Sequence, residues 1–539
     1  MMGSFHPPYP GVLASHRYLA TLAGRHVVFL NWRDRAHPQA GGAELFCQSV
    51  AERFAAAGVR VSLLTSRAGV DGQPPAPAAE HVAGVDIRRG GGTFGVYPSV
   101  LARLASLGRA GHRVDAVVDC QNGIPFFSPL VLTARTPVVQ VLHHVHQKQF
   151  PLYFPGPLAR VGQLLEAPGS RLVYRRRPSV VVSPSTRDES RSVLGLPGPR
   201  YLVPNGVTAV GARGEPAATP TIVCVGRLVP HKRLHLLLDE LPALAAAHPG
   251  LVVHIVGDGP DRERLVAHAV ALGLTAPATG PGSGSAVLTP GYQAPADVVR
   301  ADVVRWHGQV ASEVRDRLLS SAWLTVNPSH GEGWGLSVLE AAALGVPAVA
   351  FRVPGLRDAV RDGTTGWLVS DGTPLGPVID AALRTLADPA GAASLRLAAR
   401  EWAAGFTWDA SAELLARVVS AEIDRLAGPR AAVRDRRRRD DETTHVTFTM
   451  PVEAPLPALR RTDLVYRPDP TGDEVVAVLY GAGPREAHRA LDRVGVTSPA
   501  RVRPGTGEDQ LVAAGRAVAA AAAQVPATVP PVTTTAAAF

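Results

Sequence analysis

The sequence predicts an α/β protein made of doubly wound sheets and divided into more than one domain. Three observations lead there. At 539 residues the chain exceeds one ordinary domain, and two or three are expected. Apolar residues make up 46% and charged residues 19%, a balance that suits globular cores. Short apolar runs recur, each followed by a glycine turn and then a helical pattern, which is how doubly wound sheets are built.

Taken in order, residues 1–24 contain Pro and Gly and carry little pattern, so they read as a loose leader. Residues 25–31 are a buried first strand. Gly41-Gly42 follows, then an amphipathic helix with Leu45, Phe46, Val50, Phe54 and Ala55 inward, stopped by Gly58. A second strand is expected over residues 59–65, and others over 115–119, 137–143 and 179–183. Ligands of such sheets bind outside the carboxyl ends of the strands, where Gly41-Gly42 would lie.

The strand over 137–143 ends in His143-His144-Val145-His146. Three histidines in four positions suggest a metal, but an extended segment points His143 and His144 to opposite faces. With no carboxylate close by in sequence, no metal site is expected. Residues 150–177 combine aromatics with Arg171, Arg175, Arg176 and Arg177. A solvated basic face is one reading, and contact with an anionic acceptor or lipid surface is the other.

A second series opens with a buried strand over 221–226, then Gly226-Arg227 and Lys232 before a helix over 234–247. A guanidinium and an ammonium beside a helix start can together neutralise a diphosphate. Strands follow over 251–257 and 303–308, separated by a Gly/Pro/Ser-rich insertion over 276–296 that reads as a flexible loop.

The most informative stretch joins a strand over 323–326 to Ser329-His330-Gly331-Glu332-Gly333-Trp334-Gly335-Leu336 and a helix over 335–344 carrying Glu340. Glycines let the backbone approach a ligand, and the helix start offers N–H groups to phosphate. Glu332 in the loop and Glu340 beyond the first helical turn can reach different hydroxyls of one elongated ligand. Two solvated glutamates would be the blander reading; the strand–glycine–helix setting favours the site. Helices are expected over 375–386, 392–404 and 409–427. Beyond them lie a charged hinge at 434–441, a strand over 474–480, a helix over 484–494 and an Ala- then Pro/Thr-rich end that reads as disordered.

The net charge of +9 favours anionic partners, including nucleoside diphosphates and phospholipid surfaces. Nucleic acid also fits the charge, but no nucleic-acid-binding pattern accompanies it, so none is expected as a partner. The three cysteines, Cys47, Cys120 and Cys224, lack metal-ligand spacing and read as reduced core residues of a cytoplasmic protein. No apolar run reaches the length of about eighteen residues that suggests a membrane span. Peripheral attachment at the inner face of the membrane stays open.

Glu332 to Glu340, together with the following Gly345-Val346-Pro347, Pro354-Gly355-Leu356-Arg357-Asp358 and Gly363-Thr364-Thr365-Gly366-Trp367 runs, resembles the E-x7-E region of the family-four retaining glycosyltransferases (glycosyl transferases group 1). That resemblance covers residues 25–427 and implies two Rossmann-like domains facing a cleft, the GT-B fold, with a C-terminal extension of unknown structure. By its pattern the acceptor domain spans 25–205 and the nucleotide-sugar domain 206–408, and a helix over 409–427 crosses back; residues 428–539 lie outside the resemblance and read from their own pattern as a charged linker, a small α/β module and a disordered end.

The resemblance also assigns roles. Gly41 and Gly42 lie near donor phosphates and acceptor, and His143 (with His144 second) bonds a sugar hydroxyl. Gly226, Arg227 and Lys232 hold the diphosphate, while Glu332 orients the sugar. Gly333, Gly335 and Leu336 offer backbone N–H groups to phosphate, and Glu340 takes the ribose. Catalysis is carried by His143, Glu332, Arg227 and Lys232. The implied activity moves a hexose from a UDP- or GDP-sugar to a hydroxyl acceptor, lipid-linked or not, with retention and without a cofactor or metal. No D-x-D motif occurs in the chain. A nucleotide-sugar epimerase on the same plan and an inactive sugar-nucleotide-binding protein are the alternatives.

Overall fold

The computed structural model describes residues 17–37, 39–67, 69, 75–109, 113–208, 214–276, 303–428, 443–454, 456–457, 459, 463–469, 471–496 and 500–522. The first sixteen residues, nearly all of the expected insertion, the charged hinge and the C-terminal end lie outside them.

The first sheet contains β1 (His26–Leu30), β2 (Arg60–Ser66), β3 (Ala79–Val82), β4 (Val85–Gly90), β5 (Ala116–Gln121), β6 (Val138–Leu142), β7 (Ser179–Val181) and β8 (Arg200–Leu202). Its spatial order is β3-β4-β2-β1-β5-β6-β7-β8, parallel except for β3. β1 shows why a continuous apolar run makes such a strand. Val27 and Phe29 enter the core on one face, Val28 and Leu30 the core on the other, so every position is buried. The β3–β4 hairpin was not expected from the sequence. Ala83 and Gly84 form its turn with φ of 46° and 80°, and its outer strand is largely exposed, so no apolar run marks it.

The second sheet contains β9 (Thr221–Val225), β10 (Val252–Val256), β11 (Val304–Gly308), β12 (Leu324–Asn327), β13 (Ala348–Phe351) and β14 (Gly366–Val369). The order is β11-β10-β9-β12-β13-β14, all parallel. The chain builds outward from β9 in one direction and returns to build from β12 in the other. Each sheet therefore has a switch point, β1/β5 in the first and β9/β12 in the second, which is where doubly wound folds bind ligands.

The two units are joined twice. Val207 N donates to Phe406 O at 3.0 Å, and a Cβ on Gly206 would fall 2.2 Å from Trp408 N, so a side chain there would separate the crossing strands. Helix Trp408–Ala427 then packs on the first unit, with Trp408 against Phe46 and an Arg53–Asp409 ion pair at 2.5 Å.

One expectation is corrected here. Residues 17–24 are not a loose leader. Helix Arg17–Thr21 buries Leu19, with Leu22 buried just beyond it, and its first N–H groups, Tyr18 N and Leu19 N, donate to the Glu413 carboxylate at 2.7 and 3.2 Å. The helix is too short to show a period of its own, and its partner lies at the other end of the chain.

In the C-terminal extension, β15 (Thr443–Thr449), β16 (Leu464–Tyr466), β17 (Glu474–Tyr480) and β18 (Arg501–Pro504) form an antiparallel sheet in the order β16-β17-β15-β18. One face, with Val475, Ala477 and Leu479, takes helix Pro484–Arg493. The other, with Val476, Val478 and Tyr480, joins the core shared by helix Trp408–Ala427 and the first sheet. The module is thus built onto the body of the protein.

Candidate active site

At the β9/β12 switch point the strand ends open a pocket lined by Gly226, Arg227, Lys232, Asn327 and Ser329, among others. Arg227 is exposed at its edge. Lys232 reaches across the strand ends and donates to Glu332 Oε1. Ser329 Oγ lies 2.9 Å and Asn327 Nδ2 3.4 Å from the same carboxylate oxygen. Burial alone would raise the Glu332 pKa, but the Lys232 ammonium and these donors hold it well below the usual carboxylate range. Lys232, expected on the diphosphate, and Glu332, expected on the sugar, are therefore one charge-paired unit. Its ammonium has further N–H groups free for a bound anion.

The glycine loop carries an unexpected division of labour. Gly335, the N-cap of helix Leu336–Ala343, has φ of 75°, a conformation that favours glycine, and the first turn of that helix reaches the pocket wall through Ser337 Oγ, 3.4 Å from Asn327 Nδ2. Gly333 has another task. A Cβ there would sit 1.9 Å from the carbonyl oxygen of His143 in the first unit, so it is glycine because two backbones meet. Glu340 lies further along this helix, 3.6 Å from Arg315; burial raises its pKa and Arg315 offsets part of the rise.

Across the cleft, His143 closes β6 and is buried, with its ring edge-on to Phe46 at 5.1 Å. Neither ring nitrogen meets a hydrogen-bond partner among the described residues. Burial, helped by His146, pulls its pKa down to about 3, so the imidazole is neutral and can donate to or accept from a ligand hydroxyl. His144 turns the other way, with Cε1 3.6 Å from a Cβ position on Gly331, and its Nε2 lies 2.9 Å from Gln149 Nε2. The sequence offers no nearby carboxylate for the third histidine, yet Glu166 accepts from His146 N at 2.7 Å. No group of three or more potential ligands able to hold a metal is present among the described residues.

Gly41 caps helix Gly42–Ala56, and its N–H donates to Glu44 Oε2 at 2.8 Å. A Cβ on Gly42 would touch Leu336 at 3.7 Å. The two glycine loops therefore each meet the opposite unit, Gly42 beside Leu336 and Gly333 beside the His143 backbone.

The family described as Glycosyltransferase Family 4 matches residues 40–209, and that described as Glycosyl transferases group 1 matches residues 219–388. The D-inositol 3-phosphate glycosyltransferase of Kineococcus radiotolerans is 32% identical over 443 residues, covering 73% of this chain and 93% of that protein. The chain belongs to the group 1 glycosyltransferases. A GDP-mannose-dependent phosphatidylinositol monomannoside mannosyltransferase of Mycolicibacterium smegmatis is 37% identical to this glycosyltransferase over 205 residues, and the match spans only 48% of that relative. Among solved structures, sucrose-phosphate synthase from Thermosynechococcus elongatus superposes with a TM-score of 0.56 at 20% identity, covering 72% of this chain and 96% of that one. WaaG, a glycosyltransferase involved in lipopolysaccharide biosynthesis, gives 0.52 at 16% identity over 73% and 99% of the two chains. These likenesses establish the GT-B fold of two Rossmann-like domains.

Sequence reasoning missed several residues that shape the site of this glycosyltransferase. Arg233, at φ of 50°, donates to Pro328 O and Ser329 O at 3.0 Å each and pins the loop before Glu332. Asn327 and Ser329 orient the Glu332 carboxylate, and Arg315 serves Glu340. Tyr153 Oη lies 2.5 Å from His231 Nδ1, linking the first domain to the turn that carries Lys232. Arg233 had a visible signal as the neighbour of Lys232, and Asn327 and Ser329 lie within five residues of Glu332; Arg315 and Tyr153 act through contacts more distant in sequence.

Proposed function

We propose that the protein transfers a hexosyl group from a UDP- or GDP-sugar to a hydroxyl acceptor, with retention of anomeric configuration. The observation that carries this reading is the Lys232–Glu332 pair at the β9/β12 switch point, beside Arg227 and the Leu336 helix start. Arg227, Lys232 and the helix N–H groups would take the developing negative charge of the leaving diphosphate. Glu340 would hold the ribose hydroxyls, and Glu332 with His143 would fix the sugar.

In the proposed front-face substitution the acceptor oxygen bonds to the anomeric carbon while the bond to the diphosphate oxygen breaks on the same face. The acceptor proton passes to the departing phosphate oxygen. A double displacement would need a carboxylate free to attack, and Glu332 is engaged by Lys232, Ser329 and Asn327. With three cationic or N–H sources on the diphosphate, the reaction needs no divalent ion. The names of the relatives, an inositol phosphate glycosyltransferase and a phosphatidylinositol mannoside mannosyltransferase, support an anionic or lipid-linked polyol as acceptor. Three buried free cysteines agree with work in the cytoplasm.

The test is slow donor hydrolysis by purified protein against a panel of UDP-, GDP- and ADP-sugars in EDTA, beside Glu340→Ala and Lys232→Ala. Release of one nucleoside diphosphate, reduced in both variants, supports the reading and identifies the donor. Failure to bind any sugar nucleotide would remove it. Proton NMR of the released sugar at early times then reads retention directly.

A further inference from the structure

The segment between β6 and β7 distributes its apolar residues in an unusual way. Helix Gly156–Leu164 and the turns that follow it, to Val173, place small residues inward: Ala159, Gly162, Ala167 and Ser170 are buried. The large ones point out. Leu158, Val161, Leu164, Leu165 and Leu172 are between 36% and 66% exposed. Positions 158, 161 and 165 share one helical face by their spacing. Gly162 explains the inward side, since a Cβ there would meet the Phe150 ring at 2.6 Å.

The charges on this segment are also one-sided. Arg160, Arg171, Arg175 and Arg176 are exposed, and the lone carboxylate between residues 150 and 176, Glu166, is fully buried. The adjoining loop, tied to Arg177 through Thr136 O at 2.8 Å, adds exposed Leu130, Val131 and Arg135 and no acid.

We propose that this surface docks on an anionic phospholipid bilayer, with the leucines entering the acyl boundary and the arginines resting on headgroup phosphates. Large apolar residues flanked by arginine, on two segments that carry no exposed carboxylate of their own, match the interface of a lipid leaflet rather than water. A protein partner would have to supply an acidic surface with an apolar centre, and nothing in the structure indicates one. The segment's first turn places Tyr153 against His231, so the docked face lies beside the mouth of the cleft. Only that last point draws on the transferase reading; the docking surface stands without it.

Co-sedimentation of the full chain with vesicles tests the proposal. Binding is expected to vesicles containing phosphatidylglycerol, to weaken with salt, and to be slight on phosphatidylcholine alone. Leu158→Ser/Leu164→Ser/Leu172→Ser, and separately Arg160→Ser/Arg175→Ser/Arg176→Ser, should each lower the affinity by about tenfold or more. Circular dichroism and UDP or GDP binding should be unchanged in both, which separates loss of docking from loss of the fold or the donor site. Wild-type protein that ignores phosphatidylglycerol, or a leucine variant that binds as tightly as wild type, would overturn it. So would a concentration-dependent dimer in light scattering that the leucine variant abolishes, because the face would then belong to a second copy.

Discussion

Lys232 and Glu332 stand a hundred residues apart in sequence, yet their contact sets the electrostatics of the site. Removing the ammonium leaves a largely buried carboxylate with only neutral donors. Lys232→Met should therefore lower kcat/KM by about a hundredfold or more and stability by about 2 kcal/mol. The stability difference has a defined pH dependence. Because the folded carboxyl titrates below its ordinary value of 4.5, the pair's contribution is complete above that pH and fades as acid is added. Urea midpoints of wild type and variant should converge at low pH; a constant gap would mean that the pair is not ionic. His143 behaves in the opposite chemical sense with the same outcome. Its pKa of about 3 lies below the usual 6.5, so on acidification the unfolded chain takes up a proton that the folded chain refuses. Stability should fall below pH 6.5 by up to about 1.4 kcal/mol per pH unit from this residue. His143→Asn should remove one proton from that slope, and it should cut kcat/KM about ten- to a hundredfold without moving the profile's pKa values at neutral pH.

At the scale of elements, the strands and helices facing a core were legible because burial writes itself into sequence as unbroken apolar runs and helical stripes. β1, β9, β12 and helix His235–Ala247 lie within a residue or two of where the pattern puts them. The β3–β4 hairpin and helix Arg17–Thr21 were not legible: one is largely exposed, and the other is held by Glu413 from far along the chain. The site itself was partly legible. The sequence pointed to Gly226, Arg227 and Lys232, which do line one pocket at the strand ends, whereas the pairing of Lys232 with Glu332 and the reason for Gly333 depend on folded geometry. Gly333→Ala tests the latter. With a Cβ only 1.9 Å from the His143 carbonyl, the two loops must separate, so activity should drop about a hundredfold or more while the far-ultraviolet spectrum stays native. A variant with native kinetics would show that the loops are apart during turnover. Tyr153→Phe is a milder probe of the same junction: losing one hydrogen bond to His231 should raise the donor KM severalfold and leave kcat nearly unchanged.

At the scale of the whole molecule, the C-terminal module is the feature that sets this chain apart from the region its family pattern covers. Tyr480 of the module packs at a tilt against Tyr201 of the first domain with ring centroids 5.2 Å apart, and Arg417 of the crossing helix donates to Asp463 O at 2.5 Å. Its last helix, Gly507–Ala522, packs on helix Pro184–Ser192, and Glu508 pairs with Arg361 of the second domain at 2.5 Å. The same helix Pro184–Ser192 meets the second domain directly, since Arg357 donates to Ser185 Oγ at 2.8 Å. The module therefore leans on both domains at their junction, on residues that a two-domain enzyme would move when it opens. Ending the chain after Gly428 would expose Tyr201 and the module-facing side of the crossing helix, where Leu414 and Val418 lie. The expected outcome is a loss of several degrees in Tm, together with a larger response of donor KM to viscosity or osmolyte as the domains gain freedom. The milder variant Glu508→Gln removes only the exposed ion pair, worth under about 1 kcal/mol, and should leave Tm within about a degree. If the shortened chain melts at the wild-type temperature, the module is an appendage; if it melts earlier and its donor KM shifts with it, the module is part of the hinge.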